Sequence, residues 1–318
     1  MSMRPGQRLA SLTGVLLLAG CNGATVDAGA ADAGQAEIIQ PIASEAARPS
    51  AAPSPAPMPE PEPVGPSTFL YDGELTQGGW IRGQAPGGTV TATLGSQPLT
   101  LDNEGRFFAA FDRDAGPTAT LVAKLANGRM IESPFAVSPR SWNIERVNVA
   151  RRAGGASESF MARRRPELAQ INAARKVGAD TPGWSQDFIW PVTGRISGRF
   201  GSQRIYRGEP GSYHSGIDIT TGQSGTPFVA PADGVVTLAT QQPFSLEGYL
   251  LIIDHGQGLN SAFLHSSKIA VSEGDVVKQG QYIGNIGSSG RATGPHLHWG
   301  LKWRDARLDP LLFTGPMR

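Results

Sequence analysis

Glycine and proline divide most of this sequence into short apolar segments. Of its 318 residues, 41 are glycine and 25 are proline, and they recur between apolar runs that are rich in β-branched and aromatic residues. Runs of this length fit β-strands, whereas globular helices need longer segments with one apolar face. The sequence therefore predicts a mainly β protein.

The first group of predicted strands lies within residues 67–140. Turn residues separate the strands, and Asn127-Gly128 between two of them is a strong hairpin signal. This spacing predicts a small β-sandwich, which resembles a bacterial immunoglobulin-like domain. The segment contains no histidine or cysteine, so we expect a spacer or a binding module. Its predicted strands are 68–72, 78–83, 89–94, 106–112, 118–125 and 129–137.

A second group of strands predicts a compact, mostly antiparallel β domain over residues 186–313. Glycine and proline punctuate this region as well, and it has no long amphipathic segment. The predicted strands are 188–192, 217–219, 227–230, 234–239, 249–254, 260–264, 275–277, 281–286 and 296–301.

Residues 141–185 predict a basic, partly helical connector between the two domains. Ser157 or Ser159 can cap its helix, and Pro166 places the better helix start near itself. From residue 146 to 176 there are eight Lys or Arg against two Glu. We favour the solvated face of a linker helix, because charge runs are usually exposed; a contact with anionic cell wall or lipid is the alternative.

Residues 1–21 have the features of a bacterial signal peptide, with two arginines before a short apolar stretch. The stretch ends in Leu18-Ala19-Gly20-Cys21, which resembles a lipobox, and Cys21 is the only cysteine. We expect a lipid anchor at Cys21; a plain secretory signal with a chance cysteine is the alternative. Residues 22–66 are rich in alanine and proline and predict a disordered tether.

Composition argues against several other classes of protein. The formal net charge of +1 gives no reason to expect a nucleic-acid partner. A single cysteine cannot form an internal disulfide or a Cys-rich zinc module. The sequence has no apolar run of about 18 residues, so we expect no conventional transmembrane helix.

The five histidines all lie between residues 214 and 298. His296 and His298 are two residues apart, so on a strand both side chains point to the same face. With His214 and Asp218 they offer imidazole nitrogens and a carboxylate oxygen, which together suit Zn²⁺. Three protein ligands with an open fourth position are typical of a catalytic zinc site.

The order His214-xxx-Asp218, His265 and His296-x-His298 resembles the lysostaphin/LytM-type zinc metallopeptidases, which are bacterial cell-wall endopeptidases. Further stretches match in the same order, and the resemblance covers roughly residues 186–313. These stretches are Trp190–Gly201, Ala230–Val236, Ile253–Gly256, Gly274–Gly280 and Gly287–His298.

The resemblance implies a role for each residue of the site. His214, Asp218 and His298 correspond to the ligands of one Zn²⁺ per chain. His265 and His296 correspond to two catalytic histidines that assist a metal-activated water, and either of them could be the general base.

Two other positions in this domain carry separate expectations. His255 corresponds to a position outside the catalytic set, and we expect it to play a structural or supporting role. The family often has tyrosine where this chain has Phe263, so a phenol that could donate a hydrogen bond near the site is missing.

The resemblance further implies a zinc-dependent endopeptidase that hydrolyses peptide cross-links of bacterial peptidoglycan, with stem peptides as substrate. The alternative is a non-catalytic LytM-type lipoprotein that activates a separate cell-wall amidase, with a cell-wall hydrolase or divisome protein as its partner. Such relatives usually lack ligands or catalytic histidines, whereas this chain has all five residues, which favours the enzyme.

The same features predict where the protein acts. We expect it in the bacterial cell envelope, lipid-anchored and facing the periplasm, at the outer membrane if the cell has one. A connector that abuts the catalytic domain also raises the hypothesis that residues 140–185 mask the site.

Overall fold

A computed structural model describes residues 64–150 and 156–317, which belong to one compact unit, Glu60–Arg318. The predicted signal peptide, Cys21 and nearly all of the predicted tether lie outside the described residues. None of the described helices is long and apolar enough to cross a membrane.

Seven strands form two antiparallel sheets in the first β region. They are β1 (Leu70–Gly73), β2 (Trp80–Gln84), β3 (Thr89–Leu94), β4 (Gln97–Pro98), β5 (Arg106–Ala110), β6 (Thr118–Leu125) and β7 (Met130–Ala136). One sheet has the order β1-β2-β5 and the other β4-β3-β6-β7. Ile81, Phe107 and Leu121 are fully buried in their core. All six predicted strands are present, and the immunoglobulin-like assignment stays a prediction.

The connector contains one strand and one long helix, β8 (Ile144–Val147) and α1 (Glu158–Ala174). The expectation that the helix starts near Pro166 is wrong, because Ser157 caps it more than two turns earlier. The Ser157 side chain accepts a hydrogen bond from the Phe160 N–H at 3.2 Å. The other candidate cap, Ser159, lies inside the helix.

The helix runs through Pro166 without ending there. A proline inside a helix costs about 3 kcal/mol, because it removes a hydrogen bond and clashes with the preceding turn. The burial of Ile171 and Ala174 in an apolar cluster with strand residues offsets that cost.

Thirteen strands form the C-terminal region. They are β9 (Arg195–Gly198), β10 (Gln203–Tyr206), β11 (Glu209–Pro210), β12 (Ile217–Thr220), β13 (Pro227–Val229), β14 (Gly234–Ala239), β15 (Tyr249–Asp254), β16 (Leu259–Ser266), β17 (Lys268–Ile269), β18 (Val276–Val277), β19 (Tyr282–Asn285), β20 (Leu297–Trp303) and β21 (Ala306–Leu308).

The core of this region is an eight-stranded antiparallel sheet. Its strands run in the order β18-β14-β15-β16-β20-β12-β9, with β21 paired to β20. A second sheet has the order β13-β19-β17, and β8 of the connector joins β10 and β11 in a third. The predicted mostly antiparallel β domain is therefore present.

The register of the large sheet sorts its side chains onto two faces. Leu251, Phe263 and Trp299 are register partners across three strands, and all three are fully buried in the core. Trp299 pairs with Ile217 of β12, and the next positions along these two strands, Asp218 and His298, are register partners as well. Because successive side chains alternate between faces, Asp218 and His298 share the face opposite to that core.

One predicted strand of this region is wrong. Residues 188–192 are not a strand, because Pro191 has no N–H for a ladder and only isolated backbone bonds tie the segment to Pro231 and Val229. The first strand of the region is β9, which was not predicted. Two short helices complete the described structure, a 3-10 helix (Pro182–Ser185) and α2 (Leu311–Thr314).

Candidate metal and catalytic site

Three of the predicted site residues converge through strand pairing and an irregular segment before β12. Asp218 on β12 and His298 on β20 face each other across the sheet. His214 lies just before β12, and its Nδ1–H donates to the Arg199 carbonyl at 3.1 Å. A carbonyl can only accept, so this bond leaves the His214 Nε2 unprotonated in the neutral ring and directed at Asp218.

The three donor atoms lie close to one another. The Asp218 Oδ1 is 3.1 Å from the His214 Nε2 and 2.9 Å from the His298 Nδ1, and the two nitrogens are 3.0 Å apart. Among the described residues, this is the group of His, Cys, Asp and Glu side chains that could hold a metal ion. Tetrahedral ligands about 2.1 Å from Zn²⁺ are about 3.4 Å from one another, so the donor set and its spacing fit that ion.

Burial and the two imidazoles shift the pKa of the Asp218 carboxyl in opposite directions. Burial by itself raises the pKa of Asp218, but hydrogen bonds and attraction from His214 and His298 hold that pKa far below its usual range. Burial lowers the pKa of His298, whereas for His214 the bond and attraction to Asp218 outweigh burial and raise the pKa. The carboxyl is therefore ionised at neutral pH and available to a cation.

A glycine on the neighbouring strand makes room for this cluster. Gly198 on β9 is the register partner of Asp218. A Cβ at Gly198 would overlap the Asp218 Oδ2 and lie 3.1 Å from the His214 Cε1. Only glycine therefore allows β9 to lie this close to the carboxylate.

The remaining two predicted site residues, His265 and His296, lie beside the ligand group. Their ring centroids are 4.9 Å apart, and the His296 Nε2 is 3.8 Å from the Asp218 Oδ1. The Nδ1–H of His265 donates to the Ser289 carbonyl and that of His296 to the Gly294 carbonyl, both at 2.9 Å. Each neutral ring consequently carries its lone pair on Nε2.

Burial favours the neutral form of His265. The residue is 7% exposed, and burial lowers the pKa of its imidazole, with further repulsion from His296 and His298. Its bond to Ser289 acts in the opposite direction and is weaker. At neutral pH the His265 Nε2 is therefore a proton acceptor.

His255 lies outside this group and packs in the core. It is fully buried, its Nδ1–H donates to the Asp233 carbonyl at 2.7 Å, and its Nε2 accepts from the Ser261 hydroxyl at 2.7 Å. Burial lowers the pKa of His255 to about 4. These bonds describe a neutral histidine that joins the segment before β14 to β16.

The expectation about Phe263 does not fit the fold. Phe263 is fully buried and stacks between Phe228 and Trp299, with ring planes 27° and 3° from parallel. The side chain belongs to the core face of the sheet, so a phenol here would be buried among aromatic rings.

Sequence reasoning missed the backbone carbonyls that orient the histidines. These carbonyls belong to Arg199, Ser289 and Gly294. Every residue type supplies a carbonyl, so no side-chain pattern could have indicated them.

Comparison with known proteins identifies what the C-terminal region is similar to. Residues 212–310 match the model of peptidase family M23. A crystal structure from Pseudomonas aeruginosa that is assigned to peptidase M23 is 28% identical, with a TM-score of 0.56, over 76% of this chain and 95% of that one. Residues 212–310 of the C-terminal region therefore carry the similarity to peptidase family M23.

Two curated relatives differ in their names. The peptidoglycan DD-endopeptidase ShyA of Vibrio cholerae is 37% identical over 127 residues, which are 39% of this chain and 28% of that protein. The lipoprotein NlpD/LppB homolog of Pseudomonas aeruginosa is 36% identical over 138 residues, 43% of this chain and 41% of that protein. The chain thus spans less than half the length of either relative.

Proposed function

We propose that this protein is a zinc-dependent endopeptidase that hydrolyses peptide cross-links of bacterial peptidoglycan. The observation that carries the proposal is the convergence of His214, Asp218 and His298 beside the oriented pair of His265 and His296. The relative named as a peptidoglycan DD-endopeptidase supports the substrate class.

Each residue has a distinct part in this proposal. His214, Asp218 and His298 would hold one Zn²⁺, which when bound supplies a Lewis acid that polarises a carbonyl and lowers the pKa of water. The neutral His265 accepts a proton from the attacking water on Nε2 and returns it to the leaving amine. In its protonated form, His296 donates from Nε2 to the carbonyl oxygen as negative charge develops there.

The proposal also covers the rest of the chain. We place Cys21 as the lipid anchor in the cell envelope, facing the periplasm and at the outer membrane where one exists, with residues 22–66 as the tether. The relative named as a lipoprotein supports this location. Within the compact unit, residues 67–140 would serve as the spacer and residues 186–313 as the peptidase domain. Loss of lipid labelling in Cys21→Ser tests the anchor.

Mass spectrometry of digested sacculi tests the activity. The zinc-loaded protein should release uncross-linked muropeptides, and the masses of the products identify the bond that is cut. The His265→Ala variant serves as the matched control because its ligand group is intact. Undigested sacculi with zinc-loaded, folded wild-type protein would contradict the proposal.

A second candidate function is the activation of a separate cell-wall amidase. The NlpD/LppB homolog among the relatives is the observation that favours it. A regulator would leave sacculi intact when alone and would increase their digestion when the partner hydrolase is added. The same sacculus experiment with and without an amidase distinguishes the two functions.

A further inference from the structure

The connector helix is tied to a loop that contacts His265, residues 245–249, here called the brace loop. Arg164 on α1 has a side chain that is only 10% exposed. Its two Nη groups donate to the two carboxylate oxygens of Glu247, both at 2.6 Å. Paired bonds of this kind combine charge with a defined geometry, so they fix the loop more firmly than a single contact.

A second side chain of the helix holds the brace loop about one turn further along α1. Glu167 accepts from the Ser245 N–H at 2.7 Å and from the Ser245 hydroxyl at 2.6 Å. It also accepts from the Arg164 Nη1 at 2.9 Å. The helix therefore holds both ends of a three-residue stretch, Ser245 and Glu247.

The brace loop in turn holds His265 directly. The His265 N–H donates to the Glu247 carbonyl at 2.8 Å. His265 has a φ of +65°, which is left-handed and unusual for a histidine. Such a conformation is strained for a residue with a Cβ and persists where neighbouring contacts enforce it.

The brace loop also reaches the imidazole of His265 through Ser289. The Tyr249 N–H donates to the Ser289 hydroxyl at 2.9 Å, and the Leu246 carbonyl accepts from the Arg291 N–H at 2.9 Å. The Ser289 carbonyl is the acceptor for the His265 Nδ1–H. Backbone and ring of His265 are thus both held by the brace loop or by the segment bonded to it.

We propose that Arg164 and Glu247 are positioning residues for His265, and that α1 acts through them to hold its imidazole in place. The catalytic consequence rests on the proposed function. Misplacement of a reacting group by about 1 Å can cost about 100-fold in rate, so a loosened brace loop lowers turnover. This role differs from masking, in which loss of the helix contact would raise activity.

The neighbouring Arg165 provides a matched control. It has the same side chain on the same helix, but it is 59% exposed and pairs with Glu158, which is 79% exposed. Exposed pairs of this kind contribute little to stability. Arg165→Met therefore removes a guanidinium from α1 without reaching the brace loop.

The test compares full-length, zinc-loaded Arg164→Met, Arg164→Lys and Arg165→Met with the wild type. Amide hydrogen exchange at His265, kcat and KM on a cross-linked muropeptide, and zinc content are measured. We expect Arg164→Met to speed exchange at His265 about 10-fold or more and to lower kcat about 10- to 100-fold, with unchanged KM and zinc. The exchange rate and kcat of Arg164→Lys should lie between those of the wild type and Arg164→Met, because lysine keeps the charge but loses the paired bonds.

Two results separate this proposal from the proposed function. If the His265 amide exchanges at the same rate in Arg164→Met as in Arg165→Met, the positioning role is overturned, whatever the activities of the two variants. If Arg164→Met does not fold, the exchange in Arg164→Lys decides in the same way. Wild-type protein that cleaves no peptidoglycan overturns the proposed function, while the exchange data still decide the positioning proposal.

Discussion

The ligand group and the histidine pair of this site are built in different ways. Asp218 and His298 lie opposite each other in a regular strand pair, and alternation along the strands places them on one face. His265 has a left-handed backbone conformation, and His296 forms only an isolated bridge with Gly287. Strand register therefore brings two of the three proposed metal ligands, Asp218 and His298, together, whereas irregular backbone and backbone carbonyls hold the two histidines.

The largest expected effect comes from the ligand group. His298→Ala removes one of three donors, so zinc content should fall from one per chain to near zero. Loss of a Lewis acid that stabilises the transition state by several kcal/mol should lower cleavage by about 1000-fold or more. Elemental analysis and muropeptide release measure the two effects, and full zinc content in the variant would contradict the assignment.

A smaller effect is expected from the histidine pair. His265→Ala should lower kcat about 100- to 10,000-fold, as expected for loss of a general base, while zinc content stays at one per chain. Kinetics on a defined muropeptide measure the fall in kcat, and elemental analysis of the same sample measures the zinc content. Unchanged cleavage would remove His265 from the mechanism.

His255, the buried histidine that belongs to neither group, should affect the stability of the protein rather than its activity. The pKa of His255 falls from 6.5 to about 4 on folding, so protons bind the unfolded state first as the pH drops. The neutral His255 contributes fully to the free energy of unfolding above pH 6.5. This contribution is lost as the pH falls to about 4, which lowers the free energy of unfolding by about 3 kcal/mol. Urea unfolding across this range should show a flatter pH dependence for His255→Gln, and equal slopes would contradict the assignment.

The smallest effect is expected at the hydroxyl that supports the histidine pair. Ser289→Ala keeps the carbonyl that accepts from His265 but loses both bonds of its hydroxyl, which accepts from the Tyr249 N–H and donates to the Ser266 carbonyl. Each hydrogen bond is worth about 1 kcal/mol, but neither involves the His265 ring directly, so kcat should fall about 2- to 10-fold with zinc content unchanged. Ser267→Ala is the control, because its hydroxyl donates to the Ile286 carbonyl instead. Equal kcat in both variants would show that the hydroxyl does not support His265.

Sequence patterns predicted the strands of this protein better than its irregular parts. The runs 89–94, 118–125, 234–239 and 249–254 are strands with the predicted bounds, because strand signals are local. The predicted start of α1 was wrong because the tertiary packing of this helix outweighs the local cost of Pro166. The basic connector was expected to be solvated, yet the Arg164 side chain is only 10% exposed, because it pairs with Glu247, which lies 83 residues away in the chain.

The sequence by itself predicted the mainly β composition, the resemblance to the family and the five residues that converge in the candidate site, because the order and spacing of short motifs can be recognised without the fold. Tertiary structure alone decided which nitrogen of each histidine faces the site, that Phe263 belongs to the core, and that α1 contacts the loop beside His265. These features depend on backbone carbonyls and on contacts between residues far apart in the chain. Neither leaves a pattern that can be read along a single sequence.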